Sequence, residues 1–252
     1  MSYPTHGKRV FLDRQDHDGR YLADWRETPR TFYAHGLAEG AGWHHDRYEE
    51  LIAADSSGRL FARAADLIMR YQFYPPGVLR FTADFSQQER WAQPGDRILQ
   101  RVRVVRLLGL PVVEVLTMNE VCEVIDEPER HGFCCVTTAV HDEVGQWSVW
   151  VEWRDRQQVV LVMEALSRPG EGLPDYLKPL LRRLQLRAHR LGLAAFRERL
   201  FGEYRERPEP TREQALGVAG GAALLAVLWA VWRRRSRPGR SGPGSRFLQC
   251  SR

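Results

Sequence analysis

Apolar residues recur at three-to-four spacing over Leu60, Phe61, Ala64, Leu67, Ile68 and Tyr71, between a capping run at Asp55, Ser56 and Ser57 and a stop at Pro75 and Pro76. That pattern predicts a short amphipathic helix. From Val78 onward the period shortens. Six runs rich in β-branched residues, at 78–85, 96–107, 112–125, 132–138, 146–154 and 159–166, are divided by turn residues and read as strands. In the fifth, Trp147, Val149, Val151 and Trp153 alternate with Gln146, Ser148, Trp150 and Glu152, so the two sets point to opposite faces. The connections are too short for parallel crossovers, which makes the sheet antiparallel. Leu173, Tyr176, Leu177, Leu180, Leu184, Ala188, Leu191 and Ala195 then return to helical spacing, with Arg182, Arg183, Arg187, Arg190 and Arg197 on the polar side. Pro179 belongs in the first turn of that helix.

Helix, antiparallel strands, long helix is an α+β order. The expectation is a sheet of about six strands gripping a long C-terminal amphipathic helix, with a cavity between them, over residues 46–202. Concave apolar spaces of this kind are the default ligand sites. Residues 1–45 mix Gly, Asp, His and aromatics without periodicity and read as an irregular arm.

A different pattern opens at Ala215 and closes at Trp232. Residues 215–232 (ALGVAGGAALLAVLWAVW) are 18 consecutive uncharged, mostly apolar positions, a length that rises ~27 Å as a helix. Trp229 and Trp232 lie at one end, followed by Arg233, Arg234, Arg235 and Arg237, as at a membrane interface. The segment reads as a single-pass transmembrane helix. Residues 203–214 form its tether and 233–252 a basic tail. Gly217 and Gly221 make a G-x-x-x-G pair through which two such helices could dimerise. The arginine tail favours the cytoplasmic side, but so does a large leading domain whose first 24 residues contain no secretory apolar core. The missing signal favours a cytoplasmic domain, with a helix lying in the interface as the alternative.

That segment changes what the net charge means. The chain carries +5, which would ordinarily suggest a polyanionic partner. Setting aside the seven arginines after Trp232 leaves −2 on residues 1–232. A mildly acidic body is wrong for phosphate binding, so no nucleic-acid partner is expected. Four cysteines in 252 residues, none in a Cys-x-x-Cys pair, do not make a disulfide framework.

Several short motifs fall in a fixed order: Asp126-Glu127-Pro128 after a valine-rich strand, Arg130 to Phe133 as Arg-x-Gly-Phe, Thr137, His141 with Gly145, and Ser167-Arg168-Pro169 before the last helix. Over about Tyr48 to Leu200 the chain resembles the uncharacterised protein family 0548, a domain of unknown function. Its helix-strands-helix order is similar to START-like and Bet v 1-like helix-grip domains. The resemblance implies that fold and brings no established catalytic residues. Two positions depart from the family pattern: Cys135-Val136 replaces Tyr-Gly, and Gln146 replaces a Glu, so a general base shared at that position is in doubt.

The chemistry-bearing residues are few. His131, His141, Asp142 and Glu143 form the one polar cluster near strand ends, but their spacing matches no metal motif, and neither a metal nor a cofactor is expected. Asp16, His17 and Asp18 read as a solvated loop, and His44-His45-Asp46 offers no better cluster. No G-x-S-x-G elbow is present. Cys134 and Cys135 point to opposite faces of one strand, so at most one meets the cavity. Arg168, Trp150 and Thr137 are the candidate ligand-binding residues; Arg168 has the competing role of pinning the last helix through Glu164 or Glu123.

Three functions are open on this reading. The first is a membrane-tethered module binding a small apolar or amphipathic molecule or lipid. The second is an enzyme acting on such a ligand, with His141 and Glu143 as acid-base groups. The third is a protein-interaction module at the membrane that uses residues 1–45.

Overall fold

The computed structural model describes residues 6–11, 17–32, 42–107, 110–171, 175 and 178–206. Leu110 apart, these form one compact unit. The strands are β1 (Lys8–Phe11), β2 (His44–Ala54), β3 (Leu79–Ala83), β4 (Arg97–Leu107), β5 (Leu110–Glu127), β6 (Arg130–Thr137), β7 (Glu143–Arg154) and β8 (Gln158–Pro169). The helices are α1 (Asp18–Asp24), α2 (Arg59–Met69), the single turn α3 (Asp84–Gln87) and α4 (Lys178–Phe201). The architecture is α+β. An eight-stranded sheet runs β2-β8-β7-β6-β5-β4-β3, with β1 paired to β5, and the recorded pairs are antiparallel.

Eight strands rather than about six are present because two come from stretches without an apolar period. β2 is an edge strand rich in charge, and such charge guards a free edge. Of its residues Tyr48, Ile52 and Ala53 reach the core, the last two adjacent where the register shifts after Leu51. β1 lies in the arm expected to be irregular. There α1 packs Leu22 and Trp25 with Leu99, Leu116, Met118 and Val140 in a second core that includes Val10 of β1. The described part of the arm is therefore built into the sheet.

The arm's charge is also internal. Asp18, expected in a solvated loop, is buried against Arg101, whose side chain is 0% exposed. The Arg101 Nε donates to both Asp18 oxygens at 3.1 Å and Nη1 donates to Glu114 at 2.9 Å. Pairing of this kind is what makes a buried guanidinium tolerable.

The other face of the sheet carries the main core. α2 begins where Asp55 accepts hydrogen bonds from the backbone N–H groups of Leu60 (2.8 Å) and Phe61 (3.0 Å), satisfying donors that an uncapped helix leaves orphaned. Phe61, Ile68, Phe73, Phe133, Met163 and Phe196 pack together between α2, the sheet and α4. α4 comes close because residue 192 is glycine: a Cβ there would sit 2.2 Å from the Phe73 ring. Pro179 occupies its first turn. The arginines of α4, expected to be solvated, include two that tie the helix to β2: Arg182 pairs with Asp46 and Arg197 with Glu50.

Among the described residues no helix is long and apolar enough to cross a membrane. The expected transmembrane segment 215–232, its Gly217/Gly221 pair and the tail 233–252 lie outside the described residues.

Candidate functional site

Between the sheet and α4 is a cavity of about 370 Å³. The face split read from the sequence decides its lining. Trp147 and Cys135 face it, and the register sets Trp147 opposite Ala165 and Cys135 opposite Trp147, so these three form one row across the inner face. Tyr71 and Tyr74 continue the aromatic wall, with the Tyr74 and Trp147 ring centroids 5.9 Å apart. Leu181, Leu184 and Ala188 of α4 close the other side. Burial pushes the Cys135 thiol well above its usual range, so it is no thiolate nucleophile at neutral pH.

Polar groups enter the cavity at two places. On β4 and β5, Gln100, Thr117 and Asn119 face inward; Gln100 Nε2 donates to the Tyr71 hydroxyl at 2.6 Å, and Thr117 Oγ1 donates to Gln100 Oε1 at 3.3 Å. Beside the start of β7, His141, Asp142 and Glu143 line the cavity, as do Gln185, Arg187 and His189 of α4. Here Arg182 donates from both terminal nitrogens to Asp46, holding that carboxyl below its usual range, and from Nη1 to Gln185 Oε1 at 2.8 Å. Gln185 Nε2 in turn donates to Ser167 Oγ at 3.1 Å.

The arm braces this end. Asp142 accepts from the Gly7 N–H at 3.2 Å and pairs with Arg9 at 2.9 Å. Thr137 lines the cavity, accepts from the Gly145 N–H at 3.0 Å, and shares a 2.8 Å hydroxyl contact with Thr31.

Two imidazoles and one carboxyl have unusual proton affinities. His141 is among the residues lining the cavity, and burial lowers its pKa to about 4. Its Nδ1 lies 2.9 Å from the Glu143 backbone N–H, which can only donate, so the neutral ring carries its proton on Nε2. His189 is lowered to about 4, again by burial. Glu143 is raised to about 7, chiefly by burial, with Asp142 and Asp46 adding to the shift and Arg182 opposing it. Near neutral pH the cavity therefore holds two neutral histidines and one carboxyl poised to gain or lose a proton.

Of the candidates read from the sequence, His141, Asp142, Glu143 and Thr137 line the cavity. His131 is elsewhere: its Nδ1 lies 3.0 Å from an Asp126 carboxylate oxygen and its ring lies against Phe61 and Trp91. Trp150 and Arg168 are placed outside the cavity. Trp150 is on the outer face, 5% exposed, packed with Val160 and Val162 and covered by Arg47 and Arg130. Gly132, its neighbour on β6, permits this, since a Cβ there would lie 2.4 Å from the Trp150 Cβ. Arg168 sits over the Trp43 ring and 3.9 Å from Glu171, so its partner is neither Glu164 nor Glu123. Among the described residues no group of three or more His, Cys, Asp or Glu side chains is arranged to hold a metal ion.

Sequence reasoning missed Tyr71, Tyr74, Gln100, Thr117, Asn119, Gln185 and His189 as cavity residues. One signal was available. Thr117 and Asn119 are polar, two apart, and flanked at the same spacing by Val115 and Val121, and so share one face of the strand.

Several solved structures are similar to this chain. The Zhui aromatase/cyclase from Streptomyces sp. R1128 is 16% identical, with a TM-score of 0.40 over 65% of this chain and 96% of that one. Ara h 8.0201 is 12% identical, with a TM-score of 0.39 over 64% and 99%. Truncated norcoclaurine synthase from Thalictrum flavum is 9% identical, with a TM-score of 0.37 over 67% and 100%. At such TM-scores these likenesses add nothing to the reading of the site. No curated protein matches the chain in sequence. A family model does match, over residues 31–195, under the description Domain of unknown function (DUF1990). The designation 0548 rests on the motifs alone. With well over half its length matched, the chain belongs to the DUF1990 family of domains of unknown function.

Proposed function

We propose that this domain binds a small amphipathic molecule in the cavity between the sheet and α4. The observation that carries the reading is the cavity itself: about 370 Å³, walled by Tyr71, Tyr74, Trp147 and the leucines of α4, with polar groups at two places. Folding leaves such a space unfilled at the cost of the packing its lining would otherwise gain, about 24 cal/mol per Å³ in cavity-forming mutants. A ligand that fills it recovers that loss. Native mass spectrometry of the purified full chain, with Ala188→Trp as a filled control, tests this. Wild type is expected to carry or take up an apolar ligand and the filled variant to lose it while keeping its circular dichroism. Equal uptake by both would overturn the reading.

A second reading, catalysis on the bound molecule, is favoured by one observation. Glu143, pushed up to about 7, lines the same cavity as His141, whose Nε2 carries a proton. A carboxyl near neutrality can take or give a proton at physiological pH, and a neutral imidazole N–H can stabilise a developing oxyanion. Turnover of a bound ligand that survives both His141→Ala and Glu143→Ala would rule this out.

The single-pass tether is a separate proposal, resting on the apolar run 215–232. Recovery of the full chain from membranes by alkaline carbonate alone, without detergent, would oppose it.

A further inference from the structure

We infer that the ligand of this cavity carries a cationic nitrogen, an amine or quaternary ammonium attached to an apolar body, and that Glu143 is its counter-ion. This rests on the cavity reading above and narrows it to a chemical class.

Glu143 lines the cavity and accepts no hydrogen bond from any described side chain or backbone group. Each group that could serve it inside the protein is otherwise committed. On α4, Arg182 is the one cation near enough to stabilise its charge, and both terminal nitrogens of that guanidinium bind Asp46 on β2. His189, also on α4, is neutral, and so is His141 on the same loop. Asp142, the adjacent residue, is occupied by Arg9 of β1 and the Gly7 N–H. Asp142 and Asp46 both place negative potential at Glu143. A ligand carboxylate or phosphate at this end would meet Asp142 and Glu143 in the cavity wall, with Arg182 and Arg9 already paired; of the other two arginines in the lining, Arg103 pairs with Glu114, and neither Arg103 nor Arg187 is among the charges acting on Glu143. A cation would meet a carboxyl without a partner.

The aromatic wall points the same way. Tyr74 lies within electrostatic range of Glu143, and its ring is part of a cluster with Tyr71, Phe73 and Trp147. Tyr and Trp faces attract an ammonium group through the ring quadrupole. Of the two carboxyls in the lining Asp142 is already paired, so the unpartnered Glu143 and the ring faces beside it suit a nitrogen cation at this end of the cavity better than an anion of the same size. Binding then favours the ionised form of Glu143, so part of its proton is released.

The experiment is isothermal titration of the full chain at pH 7 with decylamine, decanol and decanoate, probes that share a chain and differ in head group. Decylamine is expected to bind at least about tenfold more tightly than either of the others. Its enthalpy should vary between buffers of different ionisation heat because a fraction of a proton leaves, while that of decanol should not. Glu143→Gln should cost decylamine about tenfold and leave decanol unchanged. If decanol or decanoate binds as tightly as decylamine, or Glu143→Gln leaves decylamine unaffected with no proton release from wild type, the cationic assignment fails while the cavity reading stands. If none of the three binds, both fail together.

Discussion

Arg9 of β1 lies 2.9 Å from the carboxylate of Asp142, and that ion pair couples the amino-terminal strand to the residue between His141 and Glu143. The two partners differ in exposure: the Arg9 side chain is 39% exposed and that of Asp142 only 5%. Arg9→Ala should therefore cost less than about 1 kcal/mol. Asp142→Ala also strips the Gly7 N–H of its acceptor and should cost about 1–3 kcal/mol. Urea unfolding of the two variants side by side measures this, and equal costs would refute the asymmetry.

Removing Asp18 leaves the fully buried Arg101 with half of its charge compensation gone. Asp18→Ala is expected to destabilise the domain by about 3–5 kcal/mol. Adding Arg101→Met should not restore that loss, because Glu114, 2% exposed, then loses the donor that Arg101 provides. A cost under about 1 kcal/mol for the single variant, by chemical denaturation, would mean that α1 is not held to the sheet in this way.

At Gly192 local and tertiary preferences conflict. Alanine is the better helix former by about 1 kcal/mol, yet its Cβ would fall 2.2 Å from the buried Phe73 ring. Gly192→Ala should lower stability by about 1–3 kcal/mol through overpacking. Combining it with Phe73→Leu should make the second change less costly than it is in wild type. A thermal melt showing Gly192→Ala more stable than wild type would place α4 farther from Phe73.

The titrating groups make opposite contributions with pH. Glu143 is raised from 4.5 to about 7, so the folded chain binds more protons than the unfolded one between those values. Its contribution is fully present below pH 4.5 and is lost as pH rises through 7. His141 and His189 are lowered from 6.5 to about 4, so theirs is present above pH 6.5 and is lost as pH falls through 4. Glu143→Gln removes only the first effect. Relative to wild type it should gain about 2–3 kcal/mol between pH 4 and pH 8. A stability difference that does not change with pH would show that Glu143 titrates normally.

His141 should stay neutral with its proton on Nε2 down to about pH 5, because its Nδ1 accepts from a backbone N–H and its pKa is about 4. Long-range proton–nitrogen NMR correlations distinguish the tautomers directly. A ring protonated at pH 6 would contradict the buried placement.

The sequence by itself determined what depends on local period. The short amphipathic helix after Asp55, six of the strands, the long helix around Pro179, and the opposite facing of Trp147 against Trp150 and of Cys135 against Cys134 all follow from spacings of two or of three to four residues. The hydrophobic effect imposes those spacings on any chain that must bury one face. An antiparallel sheet followed by a long apolar-faced helix also made a cavity between them expected; Thr137 was legible as a ligand-facing candidate and His141, Asp142 and Glu143 as part of a strand-end polar cluster, whose fourth member, His131, does not line the cavity. Tertiary structure decided what depends on partners. Asp18 and Asp46 look alike in sequence, as acids beside histidine; one is buried against Arg101, 83 positions away, and the other holds Arg182, 136 positions away. β1 and β2 have little apolar period because a short strand and a charged edge strand are recruited by the backbone hydrogen bonds of their neighbours. Trp150 and Arg168 carried chemistry suited to a ligand but lie outside the cavity, since the register sets Trp150 on the outer face and Arg168 rests on Trp43. The pairing of Arg182 with Asp46, which leaves Glu143 without a partner at the cavity wall, exists only once β2 and α4 have met. Local period records which face a residue buries, but not which distant charge it will find there.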